Sequence, residues 1–215
     1  MGTPMRELIL VRHGEPTHVA EGLTGGWTDS SLTDLGRRQA EATGRRLSEA
    51  LAGRAFGFYA SDLRRARETA EIIGERLGVA AQPEPGLREF NNGAAANMRQ
   101  NEAARIEVPP PPTRAQALDW VPYPGSETWR RMLERVCGCM DSIAAAGDDT
   151  VLVVSHGGSG QAIVTWWLGL EDLVAEKAFA FDLDLCSITH LTLNRWDERT
   201  ITKLNDTAHL AGVGP

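Results

Sequence analysis

Two stretches of this chain end alike. "LILVRHGE" (8–15) and "VLVVSHGG" (151–158) each run through four consecutive apolar side chains, one polar residue, a histidine and a glycine. A short apolar run cut off by glycine reads as a strand buried on both faces. Strands buried on both faces belong to parallel sheets covered by helices on either side. In such sheets ligands sit beyond the carboxyl ends of the strands. His13 and His156 therefore face one crevice if their two strands are neighbours.

The rest of the chain supplies the helices that this arrangement demands. Behind Thr33 as N-cap, Leu35, Ala40, Leu47 and Leu51 fall near helical spacing and predict a helix to about residue 52. "FGFYAS" (56–61) is a second short strand, and Ser61 caps a helix over "DLRRARETAEIIGERLG" that closes at Gly78. "VAAQPE" is a third strand-like piece leading into "LREFNNG". Asn97 with Gln100 suggests a capping box for a short helix, and "VPPPPT" (108–113) stops any helix. Ser126 caps a long helix through about Ala146, and "SITHLTLNRWDERTITKLN" alternates like a β-hairpin. The expected fold class is α/β: a three-layer α/β/α sandwich with a mostly parallel central sheet. The 215 residues suit one domain over 1–215, with a lid or insertion around 91–125.

Composition narrows the function classes. A net charge of −7 argues against a nucleic-acid partner held by overall basicity. No apolar run is long enough to cross a bilayer, so no membrane partner is expected. Cys137, Cys139 and Cys186 are odd in number and lack the spacing of a zinc site. They read as reduced thiols of a cytoplasmic protein. Trp166 and Trp167 adjoin on one helix, one expected in the core and the other at an interface, which leaves a homodimer open.

Two histidines without carboxylate or cysteine companions suit phosphoryl chemistry better than a metal. A neutral imidazole can attack phosphorus, and a second one, if protonated, can neutralise oxygen charge. A phosphate dianion also calls for arginine, the planar and permanently charged donor. Arg12 adjoins His13, and "SDLRRARETA" brings Arg64, Arg65 or Arg67 to the same rim. The amides of a helix starting near Gly157 point to the same place. The leaving oxygen needs a proton donor, for which Glu89 and Glu15 compete. Neutrality at pH 7 requires a raised carboxyl pKa, favoured by burial beside phosphate charge.

These segments, in this order, resemble the histidine phosphatase superfamily, the phosphoglycerate-mutase-like family. "LVRHGE" matches the signature strand end, "SLTDLGRRQA" the first helix, and "SDLRRARETA" the S-x-L-x-R-A-x-x-T segment. "LREFNNG" matches L-R-E, "PGSETWRRMLERV" a variant of P-x-G-E-S with its helix, and "VVSHGG" the second histidine. The resemblance implies a histidine acid phosphatase-type phosphomonoesterase acting on a small-molecule phosphate ester, with no metal or organic cofactor. It makes His13 the phosphorylated nucleophile, Arg12, Arg65 and His156 the phosphate pocket, and Glu89 the general acid. Gly157, Thr24, Gly25 and Trp27 complete the expected binding set.

The chain departs from the pattern in two places, at Val19 and after Glu89, where Ala95 and Asn97 stand for the usual aromatic and second glycine. The family asparagine seven residues after the signature arginine is Val19 here, leaving Thr17, His18 or Thr24 to replace its donor. His190 and His209, like His18, have no partner pattern of their own. Phosphoglycerate mutases follow the catalytic glutamate with arginine and tyrosine, where this chain has Phe90-Asn91-Asn92. Hydrolysis is thus expected over its alternatives, a phosphoglycerate-mutase-type phosphomutase and a turnover-deficient phosphate- or phosphoprotein-binding module. Trp120, Tyr123 and Trp129 flank the expected lid, and packing it down is their expected task ahead of lining a site for a ring-bearing ester.

Overall fold

The computed structural model describes residues 5–173 and 179–214, apart from the side chain of Arg114. Strands β1 (Glu7–Arg12), β2 (Gly57–Ala60), β3 (Gln82–Pro83), β4 (Thr150–Ser155), β5 (Ile188–Leu193) and β6 (Arg199–Asp206) form one sheet in the order β3-β2-β4-β1-β5-β6. The first four in that order run parallel, while β5 and β6 are antiparallel additions at one side. The longer helices are α2 (Asp34–Ala50), α3 (Arg64–Leu77), α6 (Trp129–Ala145) and α7 (Gly157–Leu168). Single turns α1 (Thr17–Ala20), α4 (Gln100–Ala103) and α5 (Arg114–Ala117) lie in the connections.

The pleat explains why the strands are apolar throughout. Leu8, Leu10, Val151 and Val153 point to one face, where Met132, Val136, Met140 and Ile143 of α6 and Ala162, Ile163 and Trp167 of α7 cover them. Ile9, Val11, Leu152 and Val154 point to the other, under Leu47 of α2 and Ala66, Ala70 and Ile73 of α3. Full burial of one such side chain contributes about 1.5–3 kcal/mol. The product is a three-layer α/β/α sandwich, as the alternation of elements predicts.

Helix starts differ from expectation at three points. Thr33 does cap α2, its hydroxyl accepting Gly36 N–H at 3.0 Å. Ser61, however, lies before α3, whose N-cap is Leu63, and its hydroxyl serves the site described below. Thr128, two residues after Ser126, caps α6 by accepting Arg131 N–H at 3.2 Å. Asn97 takes a left-handed φ of 63° and accepts Asp29 N–H, and Arg99 precedes α4.

Trp166 and Trp167 are both buried, which corrects the expected division between core and interface. Trp166 Nε1 donates to Asp141, Trp167 Nε1 donates to the Thr200 carbonyl, and Arg199 donates to the carbonyls of both. The hairpin strand β6 thus closes over the end of α7. Segment 91–125 is stitched to the loop after α1: Thr24 N–H donates to Met98 O and Gln100 N–H to Gly22 O. The three cysteines are free, and no helix among the described residues is long and apolar enough to cross a membrane.

Candidate active site

The four parallel strands end on one rim, and each delivers a side chain to it. β1 and β4 are neighbours in register, Arg12 opposite Ser155, so the residues that follow them are His13 and His156 side by side. Their ring centroids are 5.0 Å apart and the planes meet at 61°.

His13 is buried, and Nδ1 lies 2.8 Å from the Gly14 carbonyl. A carbonyl only accepts, so Nδ1 carries the proton and Nε2 keeps its lone pair. Nε2 accepts the Nε–H of Arg65 at 3.1 Å. Burial, reinforced by the Arg65 charge, holds the His13 pKa well below the usual imidazole range. The ring is thus a neutral base at pH 7 with a fixed tautomer, the form a nucleophile requires.

Arg65 projects inward from the first turn of α3. Its two terminal nitrogens donate to the carbonyls of Thr28 (3.1 Å) and Gly26 (2.8 Å). Burial lowers its pKa to about 10, so it stays cationic at neutral pH. Arg64 and Arg67 point outward and pair with Glu68 and Glu71. Helical phase alone separates the three. Arg12 donates to the Leu183 carbonyl at 2.5 Å, while its buried Nε has no partner among the described residues. Burial lowers its pKa too, against the raising influence of Glu89 and Asp184.

His156 is wholly buried, with Nε2 2.8 Å from the Ser61 hydroxyl. Burial first, then Arg65, His13 and Arg12, press its pKa well below the usual range. The condition attached to the second imidazole, that it be protonated, is not met in the free chain, where His156 is neutral. Cationic charge at the rim comes from the arginines.

The two carboxylates separate cleanly. Glu15 accepts the Thr33 hydroxyl at 2.8 Å and so supports the cap of α2. Glu89 sits on the N-terminus of α7, accepting N–H bonds from Gly158 (3.0 Å), Ser159 (3.2 Å) and Phe90 (2.9 Å). A Cβ on Gly158 would lie 2.5 Å from Glu89 Oε1, so only glycine leaves room for the carboxylate there. The half-buried Glu89 is seated among backbone donors.

The remaining predicted residues divide. Gly157 begins α7 against the Arg12 guanidinium, 3.6 Å from where a Cβ would stand. Trp27 Nε1 donates to the Glu89 carbonyl at 2.7 Å, and its indole lies beneath Arg88. Thr24 instead donates to the Ala95 carbonyl, and the Gly25 carbonyl accepts Asn92 Nδ2. Both are tied to the 92–95 stretch.

Sequence reasoning assigned no definite role to one residue that belongs here. In α1, Val19 is 58% exposed, while His18 turns inward and is buried. His18 Nδ1 lies 2.8 Å from the Ser30 hydroxyl. Burial, Arg65 and Arg12 lower its pKa to about 4. The available signal was a histidine one position before the missing asparagine.

Two cations, three neutral imidazoles and a helix N-terminus make a cup for a tetrahedral oxyanion. Among the described residues no group of three or more His, Cys, Asp or Glu could hold a metal ion.

Comparison with known proteins agrees with this chemistry. The model of the histidine phosphatase superfamily (branch 1) matches residues 8–207. A metal-independent phosphoserine phosphatase of Arabidopsis thaliana is 30% identical over 211 residues, 97% of this chain and 84% of that protein. A 2,3-bisphosphoglycerate-dependent phosphoglycerate mutase of Methylocella silvestris is 32% identical over 74% of this chain and 80% of its own. The solved structure of mycobacterial glucosyl-3-phosphoglycerate phosphatase with VO3 superimposes with a TM-score of 0.72 at 25% identity, covering 94% of this chain and 100% of that one.

Proposed function

Because this chain belongs to the histidine phosphatase superfamily (branch 1), we infer that it hydrolyses a small phosphate monoester by passing the phosphoryl group through His13. The observation that carries the reading is the His13 ring itself: buried, neutral, with Nδ1 on the Gly14 carbonyl and Nε2 facing Arg65.

In the first step His13 Nε2 attacks phosphorus in line with the leaving oxygen, forming the P–N bond as the P–O bond breaks. Arg12 and Arg65 neutralise the equatorial oxygens, the kind of preorganised charge that supplies much of an enzyme's barrier reduction. His156 and His18 add uncharged hydrogen-bond donors, His18 in place of the family asparagine. Glu89 gives the leaving oxygen its proton. That proton arrives with the ester: near a phosphate's second pKa of about 6, a monoanion can pass its proton to Glu89 on binding. In the second step Glu89 takes a proton from water, water attacks phosphorus, and the P–N bond breaks to release phosphate and neutral His13. The metal-independent name of the plant relative supports a reaction without a metal. Segment 91–125, which carries Asn92 to the first loop, acts as the lid in this reading.

The mutase relative favours a second reading, isomerisation of a phosphoglycerate. It is the weaker one, because Phe90-Asn91-Asn92 supplies no cation beyond Glu89 for a carboxylate-bearing ester.

The test is hydrolysis of p-nitrophenyl phosphate with and without EDTA, with samples quenched in detergent at alkaline pH, where a P–N bond survives, and examined for a phosphoryl adduct on His13. Turnover unaffected by chelator and abolished in His13→Ala is expected. Activity lost to EDTA, or retained without His13, would overturn the mechanism. Isomerisation of 3-phosphoglycerate outpacing phosphate release would favour the mutase.

A further inference from the structure

Beside the catalytic carboxylate lies a cavity of about 420 Å³, lined by Phe90, Leu118, Trp120, Pro122, Trp129 and Gln161 together with two alanines. Two of its walls are continuous with the site. Phe90 directly follows Glu89 and gives its N–H to that carboxylate. Gln161 stands one turn into α7, whose first amides hold the same carboxylate. The cavity is thus built on the same two chain segments as the seat of Glu89, which is the ground for assigning it to the leaving group.

Its lining says what that group is. Phe90 and Trp129 are stacked, with centroids 6.5 Å apart and planes at 24°. No charged side chain lines the cavity among the described residues. Nearby Arg130 is engaged by both oxygens of Asp119, at 2.7 and 3.0 Å. The polar groups are the Gln161 amide and Trp120 Nε1, a buried donor without a partner among the described residues. A pocket of this volume takes a one- or two-ring group. An ionised carboxylate would lose its water there and meet no cation among the described residues, whereas a flat ring gains stacking area.

Building on the phosphatase reading, we propose that the physiological substrate is the phosphate ester of an uncharged, ring-bearing alcohol whose hydrogen-bond acceptor is met by Trp120. The cavity residues then determine specificity and leave the phosphoryl chemistry to the cup.

The test uses esters of alcohols with similar leaving ability: 2-naphthylmethyl phosphate and a quinolinylmethyl phosphate against O-phosphoserine and glycerol phosphate. The ring esters should show kcat/KM about 100-fold higher or more, the scale on which apolar pockets discriminate. Trp120→Phe should raise KM for the quinolinyl ester several-fold and leave the naphthyl ester nearly unchanged. Gln161→Lys, on a half-buried helix position, should lower ring-ester use and raise phosphoserine use, a gain that misfolding cannot mimic. Equal or better hydrolysis of phosphoserine and glycerol phosphate by the unaltered chain would overturn the proposal while leaving the phosphatase reading intact. Hydrolysis of none of the esters, p-nitrophenyl phosphate included, would remove both.

Discussion

Arg65 Nε donates to His13 Nε2 across 3.1 Å, so the charge that reinforces burial in keeping the imidazole unprotonated also stands where the transferred phosphoryl group must arrive. One cation thereby does two jobs: it lowers the pKa of the nucleophile and it meets the charge that attack creates. Arg65→Ala should cut kcat/KM about 10²–10³-fold. Arg65→Lys should recover little of it, because a single ammonium cannot reach the Thr28 and Gly26 carbonyls while facing His13. Steady-state kinetics on p-nitrophenyl phosphate measures both.

Glu89→Gln should reveal its role through the leaving group. An alkyl phosphate, whose departing oxygen needs a proton, should lose about 10²–10⁴-fold in kcat. A p-nitrophenyl ester should lose much less in its first step. Equal losses for both esters would assign Glu89 to binding alone.

Gly158→Ala tests the seat of that carboxylate. The new Cβ would press on Glu89 Oε1, and the side chain must leave the amides of α7. Displacement of about 1 Å can cost as much as 10²-fold, so kcat should fall with the same leaving-group dependence as Glu89→Gln. An unchanged rate would mean that the seat does not matter.

Thr33→Ala addresses stability without chemistry. Its hydroxyl caps α2 and holds Glu15, and losing the cap should cost about 1 kcal/mol in urea unfolding. Turnover should be unchanged, which separates Glu15 from Glu89 as the acid.

The buried imidazoles predict how stability follows pH. His13, His156 and His18 all have folded pKa values below the ordinary 6.5. Above pH 6.5 neither folded nor unfolded chain protonates them, and their contribution is complete. Below it the unfolded chain binds protons that the folded chain refuses, so stability drops, by at most about 1.4 kcal/mol per pH unit for each proton of difference. For His18 this window ends at about pH 4, and for the other two the folded pKa lies well below 6.5. Urea midpoints measured through this range should fall with acidity, and His18→Gln should flatten the fall.

What the sequence could reveal depended on the kind of interaction involved. The two buried strands and their strand-end histidines follow from apolar runs that end alike, a pattern local to each strand, while the pairing of β1 with β4 that sets His13 beside His156 is seen only in the structure. Arg65 was separable from Arg64 and Arg67 through the family pattern, whose arginine stands just before the alanine, and helical phase in the structure turns it inward while the other two pair at the surface. The misplaced caps are a different matter. Ser61 and Ser126 are good capping residues by type, but other partners claim them: distant His156 engages the Ser61 hydroxyl, and in a local turn the Ser126 hydroxyl accepts Tyr123 N–H. The charge state of His156 and the inward turn of His18 likewise depend on burial against Arg12 and Arg65, which no spacing encodes. Trp166 and Trp167 are covered in part by Arg199, on a hairpin further along the chain, which no local pattern encodes.

The strand order has a consequence for synthesis. β1 emerges early, yet both its neighbours, β4 and β5, lie in the last third of the chain. Until the ribosome has released residues 150–193, "ELILVR" has two unpaired edges and two oily faces, a template for sticking to other nascent copies. Its long-range pairings also make for slow folding. The cell must shelter the very segment that leads into the nucleophile, and expression yield should respond to chaperone supply more than to conditions that stabilise the finished protein.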